Sequence, residues 1–435
     1  MTDRTRPDAA DFDGRRQTRL VIYRGASDIA AKGVMFVVTV VAARWLTREA
    51  FAVVALSTTL GWIGAVAADA GVQVHLARAV AQNPATTADL LGRWVPVRVA
   101  SGVLALLGCA VAATWLAPDR AARVSMFVFC AAYAATGIGD CVYYVFRALG
   151  RSDLESTLTL ISRGLLLVLA PVALWVQPTA LSLGIAMLVP AAGASAVALG
   201  VAHRLSGADT SVRGWTWPDR QTRNTLMSSV APIGIGALLS ALYFRIDVFL
   251  LEAWGSTAQV AAYNAVFRLV DALRLFPAAV LAVALPRLFT ARSLDAVTRV
   301  GGPLMAAAVG AASVLWIAAP SLVPLVYGDD FLDGVAPFRV LLVALPLMSL
   351  NAALTHQLIG WHGQHTYALL CGAALATNLA SNAWAIPHFG ATGAAWSTVW
   401  TEVVLCLGCL VALARARRMY AESPDDTFTI QEARS

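Results

Sequence analysis

Charged side chains set inside long apolar stretches are the residues of this sequence whose types and spacing could do chemistry. Arg24, Asp28 and Lys32 stand at i, i+4 and i+8 of the first apolar stretch, so a helix puts all three on one face, with Thr39 extending the stripe. Asn264, Arg268 and Asp271 share a face in a later stretch, and Arg274 lies close by. Ionisable groups at membrane depth are costly and face a bundle interior or a wet cavity. Guanidinium groups stay charged and fork onto oxyanions, so two such faces could line a central cleft suited to an anionic group. The bland alternative is internal neutralisation, Asp28 against Arg24 and Lys32, and Asp271 against Arg268.

Asp69, Asp140 and Glu402 are the other carboxylates within apolar runs. Each could take up a proton and so serve ion coupling; capping a neighbouring helix or pairing with an arginine is the commoner role of such groups. Asp247, beside Arg245, reads as structural. His356 needs one satisfied hydrogen bond, and His362 and His365 are too few for a metal site. The six cysteines, Cys109, Cys130, Cys141, Cys371, Cys406 and Cys409, all sit in apolar runs and form no CxxC pair, so they read as small apolar packing groups. No P-loop, HExxH or GxSxG pattern occurs, and no soluble segment is long enough to host an active site. The sequence therefore predicts neither an enzyme nor a bound cofactor.

The elements that must position these residues follow from composition. Of 435 residues, 58% are hydrophobic and 13% charged, too few charges to cover a water-facing surface. An all-α polytopic membrane protein is expected. A helix rising about 1.5 Å per residue needs about twenty residues to cross a ~30 Å apolar core. Runs of that length are predicted near 21–43, 52–77, 95–116, 124–146, 156–176 and 179–202, then 225–251, 258–284, 300–326, 336–359, 366–386 and 391–414. The organisation expected is a polar tail over 1–20, a six-helix half over 21–204, a linker over 205–222, a second half over 223–416, and a tail over 417–435.

Arginine distribution sets the orientation. With both termini on one side, twenty-one arginines fall in the tails, alternate loops and helix ends of that side, against Arg44, Arg48, Arg120 and Arg123 on the other. That bias places both termini in the cytoplasm. The net charge of +6 then suits anionic headgroups rather than nucleic acid.

A weak internal repeat appears 209 residues apart, Phe51-Ala52-Val53-Val54-Ala55-Leu56 against Val260-Ala261-Ala262-Tyr263-Asn264-Ala265. It suggests two halves related by an axis along the membrane normal.

Several stretches look like a known family. Ala43-Arg44-Trp45-Leu46-Thr47-Arg48-Glu49-Ala50-Phe51 resembles the turn after the first helix of oligosaccharide flippases. Arg245-Ile246-Asp247 with Leu250-Leu251, then Ala262-Tyr263-Asn264-Ala265, are similar to its seventh and eighth helices. Pro277, Ala284-Leu285-Pro286 and Leu325-Val326-Tyr327-Gly328 with Phe331 follow in the family's order. Asn378, Asn382, Ile386-Pro387 and Gly390-Ala391-Thr392-Gly393-Ala394-Ala395 resemble its last signature. The family is the polysaccharide transporter branch of the multidrug/oligosaccharidyl-lipid/polysaccharide flippases. Ala52-Val53-Val54 departs from it by lacking a tyrosine.

The resemblance implies a MATE-like architecture in the bacterial inner membrane. It implies a cargo of polyprenyl-diphosphate oligosaccharide, flipped from the cytoplasmic to the outer leaflet by alternating access for polysaccharide biosynthesis. The partners it implies are the lipid-linked oligosaccharide, membrane lipids, glycosyltransferases and a polysaccharide polymerase. The competing readings are a cation-coupled multidrug exporter and a non-transporting scaffold of a glycan assembly complex. A major facilitator carrier fits poorly, because Gln82-Asn83-Pro84-Ala85-Thr86-Thr87-Ala88-Asp89 lacks the glycine and Asp-Arg pattern of that family's corresponding loop.

Overall fold

The structure, a computed structural model, describes residues 9–205, 231–290, 295–361 and 363–422. The expected linker over 205–222 and His362 lie outside the described residues, apart from Leu205 itself.

Every described element is helical. In chain order they are α1 (Ala9–Trp45), α2 (Arg48–Asp69), α3 (Val72–Gln82), α4 (Thr87–Leu116), α5 (Arg120–Ala148), α6 (Ser152–Val176), α7 (Ala180–Leu205), α8 (Ala231–Trp254), α9 (Thr257–Leu273), α10 (Leu275–Thr290), α11 (Asp295–Tyr327), α12 (Val335–Gly360) and α13 (Gln364–Glu422). Ten of the described helical stretches are long and apolar enough to cross a membrane. The last, Gln364–Arg417, is 54 residues long and breaks at Gly390, so each of its two parts is long enough to cross. With α9 and α10 read as one broken crossing, the twelve expected spans are present. The tails differ slightly: α1 is already helical from Ala9 and α13 continues to Glu422, because neither end holds a helix-breaking residue at the expected boundary.

Local chemistry explains where the helices start. Thr47 caps α2 by accepting from the Ala50 N–H, Asp119 caps α5 through Ala122, and Ser256 caps α9 through Gln259. Each side-chain oxygen satisfies an amide that the first helical turn leaves free. Two spans predicted as continuous are interrupted. Ala70 (φ 44) and Gly71 (φ 86) are both left-handed and divide α2 from α3. Arg274 divides α9 from α10, with Pro277 beyond it.

The helices pack in two groups. In the first, α5 contacts α2, α4 and α7, and α6 contacts α1 and α7; in the second, α13 contacts α8 and α12, and α12 contacts α11. The groups meet through α1 and α2 on one side and α8 and α9 on the other. The two stretches of the internal repeat open α2 and α9, and both are buried in one core cluster. Outward faces carry bare apolar residues such as Leu104, Trp115, Trp175 and Ile317, each more than 70% exposed, as expected of side chains meeting lipid. Lipid tails are as apolar as these residues, so helix association here rests on close packing and internal polar contacts.

Candidate functional site

A cavity of about 1160 Å³ lies between the two groups of helices. α1, α2, α3, α5, α6 and α7 wall one side; α8, α9, α10, α12 and α13 wall the other. Its charged lining consists of Lys32, Arg78, Arg163, Arg268 and Arg274, with Asp271 as the one lining carboxylate among the described residues. Five cations against one anion make a cationic interior. Aromatic rings complete it. Trp62 of α2 meets Phe244 of α8 edge to face at 6.4 Å between ring centres, so the two walls touch there. The Arg274 guanidinium lies over Phe244 at 4.3 Å. His356 also lines the cavity, its Nδ1 held 2.6 Å from the Ala352 carbonyl.

The cations differ in how they are balanced. Asp271 stands 3.6 Å from Arg268 and 3.6 Å from Arg274. Arg163 Nη1 lies 3.3 Å from the Met35 sulfur, with the Asp140 carboxylate close enough to act on it electrostatically but not within ion-pair distance. Lys32 and Arg78 have no carboxylate within ion-pair distance among the described residues. The α1–α7 wall therefore carries three cations with no ion-paired carboxylate among the described residues, and the other wall has a net charge of one.

The seven residues expected to line a cleft separate. Lys32, Arg268, Asp271 and Arg274 line the cavity. Arg24 and Asp28 do not; Arg24 Nε is 3.9 Å from Asp28 and 3.9 Å from Glu155. Asn264 is 2% exposed and accepts from Arg245 Nη2 at 2.6 Å, so it belongs to a buried network behind the wall. Arg78, Arg163, Trp62 and Phe244 were not anticipated. Arg163 had a readable signal, an arginine alone inside an apolar run with no acid one turn away, which at membrane depth needs a wet face.

The carboxylates proposed for ion coupling are not in the lining either. Asp69 accepts from the Gly71 and Gln73 amides, capping α3 across the break. Glu402 is 3% exposed and accepts from Asn351 Nδ2 at 2.7 Å. Asp140 sits on α5 outside the cavity lining. Asp247 is fully buried, bonded to Tyr263 Oη and the Val248 amide. Tyr263 continues to Thr398 at 3.2 Å. Arg245 reaches Thr59 of α2 at 3.3 Å and packs its guanidinium 4.7 Å from the Phe267 ring centre. All six cysteines are free and buried, consistent with apolar packing.

The end of the cavity at the α1–α2 turn is shut. Arg48 Nη2 is 2.5 Å from Asp333 and 3.1 Å from the Ala258 carbonyl. Arg44 bonds the Val326 carbonyl at 2.7 Å and also that of Leu325. Beneath these contacts Phe51 and Phe331 meet edge to face at 5.7 Å, both nearly inaccessible. Toward the other end the lining continues to Arg78 and Gln364. The cavity thus has one sealed end and a polar, basic margin at the other.

Comparison with known proteins agrees with this architecture. A family described as polysaccharide biosynthesis protein matches residues 18–291. No curated protein sequence matches the chain. Among solved structures, an inward-facing multidrug resistance MATE family transporter of the MOP superfamily is similar at a TM-score of 0.70 and 14% identity, covering 94% of this chain and 99% of its own. The lipid II flippase MurJ, in an inward closed conformation, is similar at a TM-score of 0.67 and 10% identity, covering 92% of this chain and 90% of its own. A mutant of the Vibrio cholerae MATE transporter VcmN is similar at a TM-score of 0.59 and 15% identity, covering 93% and 97%. At such identities the likeness establishes a shared fold.

Proposed function

The chain belongs to the polysaccharide biosynthesis protein family, and from that premise we propose that it is a membrane flippase for a polyprenyl-diphosphate oligosaccharide. Alternating access between its two helix groups carries the diphosphate and glycan from the cytoplasmic to the outer leaflet. The observation that carries this reading is the charge of the cavity, five lining cations against one carboxylate. A diphosphate entering a membrane-embedded site loses hydration, and guanidinium groups replace it with fixed, always-charged donors. Only the headgroup needs the wet path; the polyprenyl tail stays in lipid.

The state fits loading from the cytoplasm. The sealed end is the end that arginine distribution assigns to the outside. Similarity is also higher to the inward-facing MATE structure than to an outward-facing one, 0.70 against 0.60 in TM-score. An exporter of cationic drugs would need carboxylates in the lining, where this cavity has arginine. Residence in a bacterial inner membrane with cytoplasmic termini belongs to the same proposal, as do glycosyltransferase and polymerase partners.

The test is leaflet exchange of a fluorescent polyprenyl-diphosphate oligosaccharide in proteoliposomes. Exchange that requires the protein and is lost in an Arg163→Gln, Arg268→Gln double variant supports the reading. Wild-type protein that stays folded yet moves neither this cargo nor its native glycan form refutes it.

A further inference from the structure

We propose that Asp271 is a resident counter-ion, a carboxylate that holds Arg268 and Arg274 until the phosphate of the cargo displaces it, and that afterwards competes that phosphate off again. The inference rests on the flippase reading and assigns the step that sets release. Asp271 is the single anion among the charged lining side chains described. It stands midway between two arginines, three residues from each, at 3.6 Å from both. Charge-assisted N–H···O bonds close to about 2.7–2.9 Å, so neither contact is a made hydrogen bond.

Two ion pairs outside the cavity are tight. Arg147 forks onto Glu155 with Nε at 2.7 Å, and Arg48 reaches Asp333 at 2.5 Å. The cavity cluster thus keeps one net positive charge and is unsatisfied in hydrogen bonding. Arg268 Nε is buried with no hydrogen-bond partner. The Arg274 guanidinium lies over Phe244, 4.3 Å from the ring centre, and makes no close hydrogen bond to Asp271.

The arrangement has a consequence for transport. A cavity with five bare cations would bind a diphosphate so firmly that unloading would be slow, and a carrier must bind its cargo well enough to capture it and weakly enough to release it. A carboxylate that returns to the arginines as the phosphate leaves lowers affinity and speeds departure. Its position at the α9–α10 break places the exchange where the helix is interrupted.

The test compares wild type with Asp271→Asn, Asp271→Ser and Asp271→Glu in the full-length protein. Binding of inorganic diphosphate and of farnesyl diphosphate is measured in detergent, and leaflet exchange in proteoliposomes. The neutral variants should bind both probes about tenfold more tightly, with a lower KM and a lower turnover; Asp271→Glu should keep both near wild type. A structural role alone would not lower KM. Either neutral variant, folded, that binds no more tightly than wild type overturns the proposal. Wild type that binds neither probe brings down the flippase reading along with it, an outcome that the first cannot be mistaken for.

Discussion

Arg48 of α2 sits 2.5 Å from Asp333, 285 residues away in the chain, and so fastens the first helix group to the second at the sealed end of the cavity. The same guanidinium bonds the Ala258 carbonyl and lies 5.6 Å from the Phe331 ring centre. Opening at this end must break all three contacts. Asp333 is about half exposed, so the ion pair contributes only about 0.2–1 kcal/mol. Asp333→Asn should therefore raise the outward-open population by up to about fivefold. Arg48→Ala removes every contact and should raise it further. Spin labels at Trp45 and Trp254, both exposed near this end, would report a longer distance; an unchanged distribution in Arg48→Ala means the seal lies elsewhere.

Tyr263 anchors a second junction, this one buried. Its hydroxyl bonds the Asp247 carboxylate and lies 3.2 Å from Thr398, which ties α9 to α8 and α13. Tyr263→Phe keeps the ring and its packing but strands a buried carboxylate oxygen. Losing a hydrogen bond to a charged group costs about 1.5–3 kcal/mol. Thermal unfolding in detergent should show a clear fall in Tm, with cargo binding retained because Tyr263 is not in the cavity lining. A variant as stable as wild type would show that water replaces the phenol.

Gly390 carries the bend that turns one 59-residue helix into two crossings, at φ 56 and ψ −133. A Cβ there would lie 2.4 Å from the Gln259 side chain of α9. Strained backbone of this kind costs about 1–3 kcal/mol for a residue other than glycine. Gly390→Ala should lower the Tm by that equivalent, and Gly390→Ala with Gln259→Ala should recover only the steric share. Full recovery in the double variant would mean that the contact, and not the backbone, made glycine necessary.

Only part of this architecture is written plainly in the sequence. Span count and the Gly390 turn were legible, because length and hydropathy dominate the cost of crossing lipid. The breaks at Ala70–Gly71 and Arg274 were not, since both fall inside runs whose average hydropathy stays high enough for one continuous span. Spacing put Arg24 and Lys32 on one face, yet Lys32 lines the cavity while Arg24 turns to Asp28 and Glu155. Glu155 comes from another helix, and a single-helix argument has no access to it. Arg163, alone in an apolar run, signalled a wet face, but that it and Arg78 share this cavity shows only once neighbouring helices leave a space beside them.

That difference between Arg24 and its neighbours yields the sharpest test of the site. Lys32 and Arg163 face the cavity with no carboxylate in ion-pair range among the described residues, and Arg163 rests against the Met35 sulfur. A phosphate entering would supply each with a direct charged hydrogen bond, worth about 1.5–3 kcal/mol, or roughly ten- to a hundredfold in affinity. Lys32→Gln and Arg163→Gln should therefore each weaken binding of farnesyl diphosphate by at least about tenfold. Arg24 already has two carboxylates at 3.9 Å and lies outside the lining, so Arg24→Gln should bind within about twofold of wild type. Titration by isothermal calorimetry separates the two patterns. Should Arg24→Gln lose as much affinity as Arg163→Gln with its fold intact, the phosphate seat would have to be moved from the cavity toward the Asp28–Glu155 cluster.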